Sequence, residues 1–374
     1  MEKLALLAIG LVLLLVGGEW LVRGASRLAL ALGIPRVVIG LSLVAFGTSA
    51  PELAVSVLSS YRGQSGIAVG NVVGSNIVNV LLILGLSAVV APLAVSKRII
   101  RIEVPLMILT ALLFFAIGYD GRLSRGEGVI LVSIFAIYLF WMARTARNDR
   151  TLEQGLPTGN NGANGGVRLY VQLVFLLLFG LAGLIVGSNW LIEGAVALAR
   201  MIGVSELVIG LTIVAAGTSL PELVTSVIAS VRGERDISVG NVVGSNIFNI
   251  LSVLGFSTVA SPNGLEVAQA VIRFDAPVMI AVSLACFPIF FNDFQIKRWE
   301  GSLFVAYYVF YVVYLILHAS QHDALDEYTF VMRWFVLPFV AITLATTLTL
   351  AWRRQIWLPR RAAQRAAVRP DDSL

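Results

Sequence analysis

One pattern constrains this chain more than any other. A glutamate preceded by proline lies inside an apolar stretch, and the arrangement recurs 170 residues later. The first copy reads Gly47-Thr48-Ser49-Ala50-Pro51-Glu52-Leu53, the second Gly217-Thr218-Ser219-Leu220-Pro221-Glu222-Leu223. Each stretch is long enough to cross a bilayer. A carboxylate at that depth is costly and marks function rather than packing. Pro51 and Pro221 cannot donate to the carbonyls of Gly47 and Gly217, so each span opens there and frees backbone oxygens. Two interrupted acidic spans in corresponding places predict an ion-transport site near the bilayer midplane, shared between two halves.

Composition agrees. The chain is 58% hydrophobic and 13% charged, with mean hydropathy +0.88, which excludes a soluble domain of this size. The single cysteine, Cys286, excludes a disulfide framework. Hydropathy predicts eleven spans, near 4–22, 37–60, 67–91, 99–118, 128–143, 169–188, 207–230, 237–260, 272–291, 302–317 and 331–352. The first lacks a small-residue cleavage site, so it reads as a span rather than a signal peptide. With the N-terminus outside, 20 of the 27 Lys and Arg fall on inner segments. That bias predicts N-out, C-in insertion in a plasma or bacterial inner membrane.

Residues 17–79 align with 187–249 at the constant offset of 170, and 36 of the 63 pairs are identical. The run Gly70-Asn71-Val72-Val73-Gly74-Ser75-Asn76-Ile77 recurs unchanged from Gly240 to Ile247. A weaker echo sets Arg101, Glu103 and Pro105 against Arg273, Asp275 and Pro277. Five spans, an odd number, separate each feature from its copy, so the copies enter the membrane from opposite sides. The expected fold is an all-α polytopic membrane protein. Two inverted five-helix repeats form a ten-helix core, with one extra C-terminal transmembrane helix. Residues 1–143 form the first repeat and 169–319 the second. Between them, 144–168 reads as a flexible cytoplasmic linker rich in Gly and Asn. Residues 320–374 hold the extra helix and a basic cytoplasmic tail suited to anionic lipid.

Within each motif the threonine and glutamate are four residues apart, which places Thr48 beside Glu52 and Thr218 beside Glu222 on one helical face. Ser49 and Ser219 flank them. Ser75 and Asn79, like Ser245 and Asn249, follow at the same spacing in the next span. Gly70, Gly74, Gly240 and Gly244 give the small-residue spacing that lets helices approach closely. Asn71, Asn76, Asn241 and Asn246 read as bridges between helices. An all-oxygen set with two carboxylates suits a hard cation such as Ca²⁺, and Na⁺ can use the same groups. No Cys or His lies near the motifs to favour a softer metal. Competition of Ca²⁺ and monovalent ions for shared carboxylates is a physical basis for antiport.

The paired motifs G-T-S-x-P-E-L and G-N-V-V-G-S-N-I-x-N, each present twice, resemble the alpha-repeats of the calcium/cation antiporter superfamily, in particular prokaryotic sodium/calcium exchangers. The resemblance implies a non-enzymatic, secondary active antiporter that exchanges Ca²⁺ for Na⁺ by alternating access. It implies Glu52 and Glu222 as calcium ligands, with oxygens of Thr48 and Thr218. Sodium sites would draw on Ala45, Ser49, Ser75, Ala215, Ser219 and Ser245, sharing the glutamates, with Asn79 facing the centre. One departure stands out: several such exchangers carry Asp where this chain has Asn249. That puts three-for-one sodium coupling in doubt and raises H⁺/Ca²⁺ exchange as the alternative. A cation channel is a further rival.

Other charges read more plainly. Glu103 and Asp275 are expected to pair with Arg101 and Arg273 at the interface. Glu19 is left outside the site. Glu193 could attract cations at the outer edge. His318 and His322, with Asp323, Asp326 and Glu327, read as an exposed loop. Nothing suggests a cofactor, a nucleotide or nucleic acid; the expected partners are Ca²⁺, Na⁺ or H⁺, and the bilayer.

Overall fold

The computed structural model describes residues 2–153, 167–201, 217–291, 293–320 and 324–332, with three isolated positions beyond. The described residues are all-α apart from four two-residue strands. The helices are α1 (Glu2–Leu32), α2 (Arg36–Thr48), α3 (Ala50–Tyr61), α4 (Ser65–Val90), α5 (Ile99–Ile117) and α6 (Arg125–Glu153). After them come α7 (Val167–Met201), α8 (Leu220–Val231), α9 (Arg235–Ala260), α10 (Val271–Phe291), α11 (Arg298–Ala319) and α12 (Leu325–Val331). Among the described residues, eight helices are long and apolar enough to cross a membrane. The count is nine if α2 and α3, bent by 45° at their junction, form one span. The predicted seventh span is represented by α8 alone, and the eleventh lies almost wholly outside the described residues.

Three boundaries differ from the sequence reading. Helix α1 has 31 residues and α7 has 35, whereas hydropathy ended those spans at 22 and 188. Hydropathy falls where Arg23 and Glu193 enter, but backbone hydrogen bonding continues through charged residues whose heads reach water. Helix α6 runs on to Glu153, past Arg144 where the linker was expected to begin.

The core is built on α4 and α9, whose apolar side chains are buried together with those of α5 and α10. These two helices carry the duplicated Asn-rich run, and their burial inside protein is what tolerates so many polar groups. Helices α1 and α7 lie antiparallel, backbone against backbone. A Cβ added at Gly17 would sit 2.7 Å from the Gly180 carbonyl, and one at Gly187 would sit 2.8 Å from that of Gly10. Leu11, Val12 and Leu15 on α1 and Val174, Phe175 and Leu178 on α7 are exposed, as lipid-facing residues should be.

The small-residue expectation holds for the second copy. At Gly240 and Gly244 a Cβ would lie 3.0 Å from the Val37 carbonyl and 2.8 Å from that of Leu41, so α2 lies directly on α9. Helices α3 and α8 end alike, at Gly63 (φ +74°) and Gly233 (φ +77°), left-handed positions that favour glycine and stop a helix. Two antiparallel strand pairs join the halves: β1 (Leu93–Ala94) with β4 (Gln295–Ile296), and β2 (Arg122–Leu123) with β3 (Leu265–Glu266).

Candidate functional site

The two motifs meet at a matched pair of helix breaks. Ser49, at φ −82° and ψ 6°, separates α2 from α3, and Ser219, at φ −88° and ψ 8°, precedes α8. Pro51 and Pro221 therefore stand in the first turn of a new helix, where a missing N–H costs nothing. Glu52 and Glu222 fall in the same first turns, where free N–H groups and the helix dipole favour negative charge. Both side chains are 1% exposed.

The break corrects the expected pairing within each motif. The chain bends by 45° between Thr48 and Ala50, and the side-chain partners found for each carboxylate come from the opposite motif and not from its own. The groups cross instead. Ser49 Oγ donates to Glu222 Oε1 at 3.0 Å, and Ser219 Oγ donates to Glu52 Oε1 at 3.1 Å. Thr218 also lies against the Glu52 carboxylate, and Thr48 against that of Glu222. The two carboxylates are close enough to repel each other when both are ionised.

A second crossed layer supports the first. Thr48 Oγ1 donates to Asn241 Oδ1 at 3.1 Å, and Thr218 Oγ1 to Asn71 Oδ1 at 3.2 Å. Asn71 Nδ2 donates to Ser56 Oγ and to the Glu52 carbonyl, and Asn241 Nδ2 to Ser226 Oγ and the Glu222 carbonyl. These asparagines bridge helices, as the sequence suggested. Sequence spacing gave no hint that they also reach the opposite motif.

The remaining expected residues sort unevenly. Ser75 Oγ lies 3.2 Å from Ser219 Oγ, one step from Glu52. Ala45 is buried, its carbonyl accepting the Ser49 N–H at 3.0 Å. Asn79 and Asn249 each open a π-helical stretch, Asn79–Leu84 and Asn249–Leu254, a wide turn that often marks functional positions. Ala215 lies outside the described residues. Among the described residues, five buried oxygens of this group have no hydrogen-bond partner: Glu52 Oε2, Glu222 Oε2, Asn79 Oδ1, Asn249 Oδ1 and Ser245 Oγ. Orphaned buried acceptors are costly, and a cation is the partner that their chemistry suits.

Away from the centre, the expected interface pairs are replaced. Glu103 is fully buried, 3.3 Å from Arg98, and accepts the Tyr138 hydroxyl at 2.9 Å. Asp275 accepts the Tyr311 hydroxyl at 2.9 Å. The helix turn carries Arg101 away from Glu103, and aromatic hydroxyls from the following helix supply the bonds instead. Glu193 is bound to Lys3, and Glu19 pairs with Arg23 and Arg232. His322 and Asp323 lie outside the described residues.

A family model described as sodium/calcium exchanger protein matches residues 3–144 and 172–317. The chain is 36% identical over 345 residues to the sodium/calcium exchanger MaX1 of Methanosarcina acetivorans, covering 83% of this chain and 97% of that one. It is 39% identical over 287 residues to the inner membrane protein YrbG of Escherichia coli (strain K12), covering 75% and 86%. The fold is similar to a solved structure of the sodium-calcium exchanger NCX_Mj, soaked with 10 mM Na⁺ and 10 mM Sr²⁺. The TM-score is 0.71 at 33% identity, over 83% of this chain and 97% of that one.

Proposed function

The chain belongs to the sodium/calcium exchanger protein family, and on that premise we propose that it is a secondary active antiporter exchanging Ca²⁺ for Na⁺. The observation that carries this reading is the crossed pair of carboxylates with an orphaned oxygen on each. Glu52 and Glu222 supply two negative charges, which one Ca²⁺ or two Na⁺ neutralise. Asn79, Asn249 and Ser245 would add neutral oxygens that have no partner among the described residues, and Thr48, Thr218, Ser49, Ser219, Ser75 and the carbonyls of Ala45 and Ala215 complete the candidate set. Ca²⁺ takes roughly six to eight oxygens in flexible geometry, which such a set can provide. Because both ions need the same carboxylates, binding of one displaces the other.

In this reading the site lies near the midplane, between two inverted repeats, with the N-terminus outside and the C-terminus in the cytoplasm. Exposure alternates as α1 and α7 slide together across the remaining helices. Their close contact, which runs from Gly194 beside Leu7 to Gly24 beside Leu177, supports movement as a pair. A cross-link from α1 to α2 should then trap one facing; transport that survives it would remove the sliding step.

Proton coupling is the second reading, favoured by Asn249, which leaves the site one carboxylate poorer than in several exchangers the sequence resembles. The test is ⁴⁵Ca²⁺ uptake into proteoliposomes under an outward sodium gradient, an equal potassium gradient, or a pH gradient. Uptake that requires internal sodium and is lost in Glu52→Gln is the expected result. Uptake driven by pH and indifferent to sodium would transfer the assignment to H⁺/Ca²⁺ exchange, and uptake indifferent to both would indicate a channel.

A further inference from the structure

Two methionines stand behind the orphaned amide oxygens. Asn76 Nδ2 donates to Met279 Sδ at 3.4 Å, and Asn76 Oδ1 accepts Asn249 Nδ2 at 3.2 Å. In the other half, Asn246 Nδ2 donates to Met107 Sδ at 3.5 Å, and Asn246 Oδ1 accepts Asn79 Nδ2 at 3.0 Å. All six side chains are at most 2% exposed. Each relay crosses the halves, and each ends on an amide oxygen with no partner among the described residues.

The direction of each relay follows from chemistry. A side-chain amide has a donor end and an acceptor end, and a thioether can only accept. Met279 therefore draws the NH₂ of Asn76 toward itself. That leaves Asn76 Oδ1 for Asn249, which must answer with its NH₂ and keep its oxygen free. Reversed, the same relay would leave the Asn249 NH₂ free, and a donor repels a cation. We infer that Met279 and Met107 are positioning residues, each setting the direction of a two-amide relay that presents an oxygen of Asn249 or Asn79 to the transported cation. This rests on the antiporter reading above.

The two relays are not equally secured. Asn246 Nδ2 has a second acceptor, the Asn76 carbonyl at 3.4 Å. Met107→Leu should therefore cost less than Met279→Leu. Leucine nearly conserves the volume and removes only the acceptor.

The test is equilibrium ⁴⁵Ca²⁺ binding to the purified full chain in detergent, for wild type, Met279→Leu, Asn249→Asp and the double variant. Met279→Leu should weaken binding about fivefold, the worth of one modest hydrogen bond. In the Asn249→Asp background the same change should alter Kd by less than about twofold, a clear interaction between sites. A carboxylate presents oxygen whichever way it turns, and Asn76 can donate to it directly. Equal losses in both backgrounds would mean ordinary packing and overturn the relay. So would tight binding by wild type and Met279→Leu alike. A wild type that binds no cation would instead remove the antiporter reading, and the relay with it.

Discussion

The centre of this molecule and its rim have treated the same duplication differently. At the centre, contacts come in exchanged pairs: Ser49 with Glu222 and Ser219 with Glu52, Thr48 with Asn241 and Thr218 with Asn71. The α1–α7 contact is paired too, with Gly17 against Gly180 and Gly187 against Gly10. At the rim the pairing is gone. Glu19 on α1 pairs with Arg232, and Ser26 Oγ donates to Glu234 at 2.7 Å. The equivalent positions 170 residues away on the sequence hold Asn189, Arg62, Val196 and Gln64, which cannot form that set. In the proposed antiporter the central groups share one cation, which asks the same chemistry of both halves. Groups at the rim face different surroundings and are free to diverge.

The largest expected effect tests the centre. Glu52→Gln and Glu222→Gln should each reduce sodium-driven ⁴⁵Ca²⁺ uptake by roughly 100-fold or more, because each removes a charge from the site. A tenfold difference between them would break the equivalence. Next comes the helix pair. Gly17→Ala and Gly187→Ala would each push a Cβ to 2.7 Å from backbone nitrogen of the facing helix. Each should destabilise by about 1–3 kcal/mol, read as a lower midpoint of thermal unfolding in detergent. Among the described residues, Gly47→Ala meets only the Leu181 methyls, at 3.4 and 3.5 Å, and should be near neutral.

Smaller still are the crossed hydroxyls. Ser49→Ala and Ser219→Ala should raise the KM for Ca²⁺ about five- to tenfold, the net worth of one ordinary hydrogen bond. Ser219→Ala should be the worse of the two, since Ser219 also meets Ser75. The smallest effect belongs to the rim. Glu19 and Arg232 are partly exposed, at 24% and 37%. Glu19→Gln should cost only ~0.2–1 kcal/mol after screening. Asn189→Ala should cost nothing measurable in the same thermal assay, which sharpens the contrast.

Sequence alone revealed the centre because buried carboxylates and proline are rare in spans and were duplicated at a fixed offset. It failed where contacts depend on three-dimensional crossing. Spacing set Thr48 against Glu52, and only the break at Ser49 shows that the partners belong to the other motif. The burial of Glu103 was hidden because its partners, Arg98 and Tyr138, lie at separations that follow no helical rule. The full lengths of α1 and α7 were missed because hydropathy ends at charged residues and helices do not. The strand pairs were illegible, being two residues long and joined across more than a hundred.

The central claim is that two distant motifs build one shared cation site. The most direct measurement is the stoichiometry of ⁴⁵Ca²⁺ bound to the purified protein, for wild type, Glu52→Gln and Glu222→Gln. One Ca²⁺ per chain in the wild type, lost in either single variant, is the predicted result. Two Ca²⁺ per chain, or one that persists when either glutamate is neutralised, would contradict the account.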